Sequence, residues 1–371
     1  MKNIRIITAT FVSIIVLLLM LMSICYAQPV SKGSLLALSK RNHTLAVVDA
    51  STLKVTATVP VGEDPHEVIA SGDGKTAYVS IYGGGILHTL NVIDLTTLKR
   101  LKDINSRPLY GPHGLAFANG KLWFTVEGSK AVGSYNPLTD SIDWCMGTGE
   151  DRTHMIYVTN DAKKIYTTNV ASGTVSIIQD SVMRMGNMSP PPPSASSNGM
   201  PPSIGNMPQG NAPPPGMGQP HHNWAQTLIN VSKGCEGFDV LPDSTELWTA
   251  SAEDGKIYII NTAAKTVSAT IDAGVNGANR LKFTPDGKLV FIASLRSGKL
   301  TVYDAKTRKP VKQIDIGHGS AGIVMQPDGS RAFVACTPDN YVAVIDLKTL
   351  EVIVKVDVGG EPDGLAWVTR Q

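Results

Sequence analysis

The sequence predicts an all-β chain closed into a seven-bladed β-propeller, and three observations carry that prediction. A unit of four short strands recurs with a period near 42 residues. Turn signals of fixed chemistry separate the strands, and the two ends of the chain hold complementary pieces of a further unit.

The unit is clearest from Ala278 to Gly319. Leu281 to Phe283 is followed by the turn Thr284-Pro285-Asp286-Gly287, in which Pro presets φ and Gly accepts φ > 0. Leu289 to Ala293 is apolar and β-branched, Leu300 to Tyr303 alternates, and Val311 to Ile316 closes the unit. Short strands with turns about every ten residues make an antiparallel meander.

Taking the first apolar residue of the opening strand as anchor, copies begin at Val68, Leu115, Ile156, Phe238, Leu281, Ile323 and Leu365, at spacings of 47, 41, 82, 43, 42 and 42. The spacing of 82 is one unit plus an insertion. Four strands per period of this length is the pattern of a propeller blade, whose single sheet must pack against neighbours to bury its faces. Gly33 to Gly62 supplies three strands (Leu35–Leu38, Leu45–Val48, Val55–Val61) with no opening strand, whereas Leu365–Val368 is an opening strand with nothing after it. Pairing them completes a seventh blade and removes the unpaired edges of an open array.

The repeats also carry a resemblance. Tyr166-Thr167-Thr168-Asn169 followed by Ser172-Gly173-Thr174-Val175-Ser176-Ile177-Ile178, and the copies Val92-Ile93-Asp94-Leu95-Thr96-Thr97-Leu98 and Val344-Ile345-Asp346-Leu347-Lys348-Thr349-Leu350, resemble the YVTN-repeat family of seven-bladed propellers. That family is related to the lactonase-type propellers and to the amine dehydrogenase heavy chains. The likeness spans Gly33 to Gln371 apart from the insertion, and it implies fold rather than activity.

Residues 1–27 read as an export signal, with Lys2 and Arg5 ahead of an apolar run, Ile6 to Ile24, and small residues at the end of Cys25-Tyr26-Ala27. Cleavage there implies a periplasmic or secreted protein with no membrane association. The signal contains two basic and no acidic residues, so the mature chain would have 31 of each. A neutral chain has no electrostatic footprint for nucleic acid. Cys145, Cys235 and Cys336, an odd number with no close pair, are expected to be buried free thiols. Residues 183–223 hold 11 of the 23 prolines and six methionines with almost no charge, which predicts a disordered insertion within blade four. It reads as a tolerated surface insertion, or as a tether for a protein partner or a soft metal.

Opening strands line the central channel, so the residue two positions before each anchor lies nearest its mouth. These are His66, His113, His154, Glu236, Asn279, Ala321 and Asp363: six of the seven are polar, and three consecutive blades give histidine. Three imidazoles from adjacent blades with Glu236 across the channel are a donor set for a divalent zinc, iron or copper ion; a metal-free polar ligand site and a purely structural ring are the alternatives. Loops on the same face add Lys40, Glu127, Arg152 and Arg296, among others. Through the lactonase resemblance, Pro112-His113 and Glu127 match a histidine base and a glutamate, while the positions matching an expected arginine before a later histidine read Asn279-Arg280. The function expected is an exported propeller that binds a small ligand or metal ion at the channel mouth, or acts as a partner-binding scaffold. A lactonase-like hydrolase and the scaffold subunit of a periplasmic oxidoreductase are the alternatives. No nucleophile elbow, phosphate loop, dinucleotide fingerprint or haem-attachment motif is present.

Overall fold

The computed structural model describes residues 33–183 and 221–369. They form seven antiparallel sheets, six of four strands and one of five, arranged as a seven-bladed propeller. Closure is as predicted. The inner strand of blade one, Pro362–Thr369, pairs with Gly33–Ser39, and the register Leu35↔Trp367, Leu36↔Ala366 joins the two ends of the chain.

Burial within a blade follows strand position. Second strands lie between neighbouring strands and between neighbouring blades, so both faces are covered and the sequence is continuously apolar: Leu35 to Leu38 are fully buried, as are Val290 to Ala293. Fourth strands form the outer rim, and Ser141–Gly147 and Thr266–Asp272 alternate between exposed and half-buried positions. Between blades the apolar side chains make wedge-shaped cores, such as Leu36, Leu38, Val47, Val68, Val79 and Ile93 between blades one and two. The fourth strand of blade two is broken into Lys99–Arg100 and Ile104–Asn105, which accounts for the 47-residue spacing and the fifth strand of that sheet.

In blade four the third and fourth strands, Thr174–Met183 and His221–Asn230, are paired as far as Met183↔His221. The insertion is therefore narrower than residues 183–223, because its edges continue the hairpin ladder. Trp224 packs its ring 4.9 Å from Trp144 of blade three. The rest of the insertion and the expected export signal, residues 1–27, lie outside the described residues. Among the described residues no helix is long and apolar enough to cross a membrane. Cys235 and Cys336 are buried free thiols, but Cys145 is exposed, because it sits on an outward position of a rim strand.

Candidate functional site

Each of the seven inner strands carries the same irregularity. In blade two, Pro65 pairs with Ile81 and Val68 with Val79, so His66 and Glu67 together oppose one residue. The same two-against-one bulge falls at His113-Gly114, His154-Met155, Glu236-Gly237, Asn279-Arg280, Ala321-Gly322 and Asp363-Gly364. A bulge breaks the alternation of a strand and re-aims side chains, here toward the axis.

Two further features fix these positions. Four bulges have glycine second. A Cβ on Gly114, Gly237, Gly322 or Gly364 would collide with the carbonyl oxygen of His154, Asn279, Asp363 or His66 of the next blade. Hydroxyls on second strands then hold backbone at the bulges: Thr125 Oγ1 donates to the His154 carbonyl at 2.6 Å, and Thr168 Oγ1 to the Glu236 carbonyl at 2.5 Å. The mouth residues are thus set by backbone contacts between blades rather than by their own side chains.

They converge on a cavity of about 500 Å³. Of the expected residues, His66, His113, His154, Glu236, Asn279, Asp363 and Arg152 line it. Glu127 stands immediately behind. Arg296 does not reach the cavity; its side chain lies against Gly277 at the outer rim, because the loop after Leu289–Ser294 presents Leu295 to the mouth instead. Lys40, Tyr82, Arg280, Leu295, Thr337, Pro338, Gly319, Ala321 and Glu361 complete the lining.

Three imidazoles and a phenol form one aromatic wall. His66 and His113 have ring centroids 4.9 Å apart, His113 and His154 3.9 Å, and Tyr82 packs edge-on to His113 at 5.1 Å. Their hydrogen bonding differs. His154 Nδ1 donates to Glu127 Oε1, and the Tyr82 hydroxyl donates to Glu127 Oε2, leaving His154 Nε2 to the cavity. Burial pushes the Glu127 carboxyl up, but the bonds from His154 and Tyr82 and the charge of Arg152 hold it below the usual range, so it is ionised. His66 Nε2 lies 2.8 Å from Lys40 Nζ and 3.0 Å from Asp64 Oδ1. The hydrogen bond from His66 leads the effects that keep the Asp64 carboxyl well below its ordinary value.

His113 is the exception. It is 2% exposed, and its Nδ1 is buried with no hydrogen-bond partner. Burial first, then the charges of His154, His66, Arg280 and Arg152, drive its pKa well below 6.5, so the imidazole is neutral. An unsatisfied buried nitrogen costs about 1–3 kcal/mol and asks for an explanation.

The cavity floor is the bulge partner of Asn279. Arg280 crosses the channel to Glu67 at 2.5 Å and is steadied by Asn279 Oδ1 at 2.8 Å. Burial opposes its charge, but Glu67, Asp363 and Glu236 more than offset this and raise its pKa.

The histidines and Glu236 share this cavity but do not converge. Among the described residues no three His, Cys, Asp or Glu side chains are grouped so as to hold a metal ion. The physical reasons are that the His113 and His154 rings pack against each other at a tilt of 34°, that Nδ1 of His154 and Nε2 of His66 are already engaged, and that Glu236 faces Arg152 at 3.4 Å.

Comparison with known proteins finds the fold rather than an activity. A family model described as the cytochrome D1 heme domain matches residues 243–366, about a third of the chain. The matched segment contains one histidine, His318, whose side chain is 80% exposed and bonded to Asp339, so it brings no imidazole to the cavity and does not fit a haem ligand there. Among solved structures, a functionally unknown protein of Desulfotomaculum acetoxidans DSM 771 superposes with a TM-score of 0.67 at 11% identity, covering 91% of this chain and 99% of its own. A provisional 6-phosphogluconolactonase of Bacteroides fragilis NCTC 9343 gives 0.65 at 12% identity, covering 92% and 99%. The hydrazine synthase of Kuenenia stuttgartiensis gives 0.61 at 15%, covering 82% and 89%. No protein of curated function matches the sequence.

Proposed function

We propose that this chain is an exported propeller that binds a small organic ligand at the channel mouth. The observation that supports this is a cavity of about 500 Å³ whose wall sets the imidazoles of His66, His113 and His154 side by side with Tyr82. That size is within the range of small-molecule sites, which place a few fixed polar groups among apolar ones. Export is read from residues 1–27.

A hydrolase is the second reading, favoured by Glu127, His154 and Tyr82. A carboxylate on Nδ1 fixes the tautomer of His154, and its neutral form then has a lone pair on Nε2 to take a proton from water. Arg280 is a cation on the same cavity, as a developing oxyanion requires. The likeness to the provisional lactonase adds fold alone.

The test is a metabolite-library screen by thermal shift on the exported protein, repeated on His113→Gln. Ligands that stabilise the wild type should lose most of their effect in the variant. Hits that stabilise both proteins equally would remove the channel mouth from consideration. Turnover of a lactone or ester that Glu127→Gln slows in kcat more than in KM would move the assignment to the hydrolase.

A further inference from the structure

We infer that the ligand is a small organic cation, a protonated amine or guanidine drawn by the carboxylates of Asp363 and Glu236. This rests on the channel mouth being a binding site, and it names the chemistry of what binds there.

The first observation is an excess of negative charge. Leaving the imidazoles aside, the lining itself is balanced, with Lys40, Arg152 and Arg280 against Glu236, Glu361 and Asp363. The ion-pair partners behind it are not: Asp64, Glu67 and Glu127 stand against Arg41 alone. The cavity and its immediate partners therefore hold two carboxylates more than cations, and a concave site lined by one sign of charge concentrates ions of the other.

The second observation is where that excess sits. Four of the carboxylates are answered closely: Glu67 by Arg280 at 2.5 Å, Glu361 by Arg41 at 2.7 Å, Asp64 by the Gly84 amide at 3.1 Å, and Glu127 by both His154 and Tyr82. Asp363 and Glu236 are not. Asp363 is 9% exposed, yet among the described residues no hydrogen bond reaches its carboxylate, which has only Lys40 at 3.4 Å and His66 at 3.7 Å. Glu236 has only Arg152 at 3.4 Å, and that guanidinium is 46% exposed and shared with Glu127. A carboxylate has about four acceptor sites, and one this sheltered and this poorly met asks for a partner. Neither group has a structural task. The backbone at these bulges is held by Thr168 Oγ1 on the Glu236 carbonyl at 2.5 Å and by Thr337 Oγ1 on the Pro362 carbonyl at 2.7 Å. An ammonium or guanidinium supplies the missing donors and the missing charge together. A cavity of about 500 Å³ suits an organic cation rather than a bare ion, and no three donors among the described residues are grouped for a metal.

The experiment titrates the full protein by ligand-observed NMR with n-butylammonium, butanamide and butanoate, three probes of one length and different charge. At pH 8.5 free imidazole is neutral and an alkylammonium is still charged. The ring signals of His66, His113 and His154, followed in the same titrations, report whether a probe sits at the mouth. Butylammonium should bind tightest, with butanamide roughly tenfold weaker and butanoate weaker again. Asp363→Asn should cost butylammonium roughly tenfold, and so should Glu236→Gln, whose half-buried position keeps the test open if the first variant does not fold. Glu361→Gln removes the same charge from a carboxylate already held by Arg41, and should change binding far less. If butanamide or butanoate matches butylammonium while the ring signals move, the mouth remains the site and the cationic class is wrong. Butylammonium binding that ignores both carboxylate variants, or that magnesium displaces at equal concentration, also overturns the inference and leaves the mouth standing. If no probe moves the three rings, both this inference and the reading beneath it fall.

Discussion

Holding His113 neutral inside a ring of positive and titrating groups makes stability depend on pH in a way one substitution isolates. In the unfolded chain this imidazole takes a proton near pH 6.5. In the folded chain its pKa is well below that, through burial and the neighbouring His154, His66, Arg280 and Arg152. The penalty is absent above pH 6.5 and grows as pH falls, because the unfolded state gains a proton the native state refuses. One unit lower, at pH 5.5, the unfolded state is favoured by up to about 1.4 kcal/mol through this group alone. Equilibrium urea unfolding of wild type and His113→Gln at pH 7.5 and 5.5 measures it as a double difference, in which groups common to both proteins cancel. The wild type should lose more than the variant, by up to about 1.4 kcal/mol. Equal losses in the two proteins would mean that His113 is solvated or protonated in the folded state, and the neutral-imidazole account of the site would be refuted.

Two predictions concern the scaffold. Removing residues 361–371 should abolish cooperative unfolding by circular dichroism, because the buried Leu365, Ala366 and Val368 leave with the inner strand of blade one; a truncated protein with unchanged thermal unfolding would refute closure by that strand. Gly114→Ala should destabilise by about 1–3 kcal/mol and shift the His154 ring resonances, because the new Cβ meets the His154 carbonyl oxygen. Gly147→Ala, where nothing lies within 4 Å, should be close to neutral, and similar effects at both sites would show that the blade contact does not position His154.

The fold was legible because its signals are local and repeated: Pro-Asp-Gly turns, apolar second strands and the split terminal blade are all written in the sequence. The site was legible at one register. Counting two residues back from each anchor finds His66, His113, His154, Glu236, Asn279 and Asp363 because these are the first residues of the bulges. Arg280 and Glu67 were hidden by the same count, since strand alternation sends the residue after Asn279 or His66 away from the axis, whereas a bulge turns both inward. A second register would have found more. The residue directly after each second strand is Lys40, Tyr82, Glu127, Val170, Ala252, Leu295 and Thr337, and four of these line the cavity. Reading the loops by their charges selected Arg296 and passed over Leu295, although loop charges usually face water. For the metal reading, the described residues show no grouping of three donors. Adjacency in a ring follows from register, but convergence on one point depends on which nitrogen each neighbour engages, and Glu127 and Lys40 come from the loops of other blades.

The bulge ring explains how a symmetric scaffold comes to hold an asymmetric site. The apolar wedges that stabilise the blades lie between sheets, whereas the mouth is built from one or two residues per blade held by backbone contacts such as Thr125 to His154 and Thr168 to Glu236. A side chain at the first bulge position can therefore change without disturbing the wedge beneath it. In this chain those positions break the seven-fold pattern sharply: three adjacent imidazoles, then Glu236 and Asn279, then Ala321. Stability alone has no use for three buried or half-buried histidines side by side, one of them with an unmet nitrogen. A ligand seated against that wall, as proposed, gives the arrangement a reason.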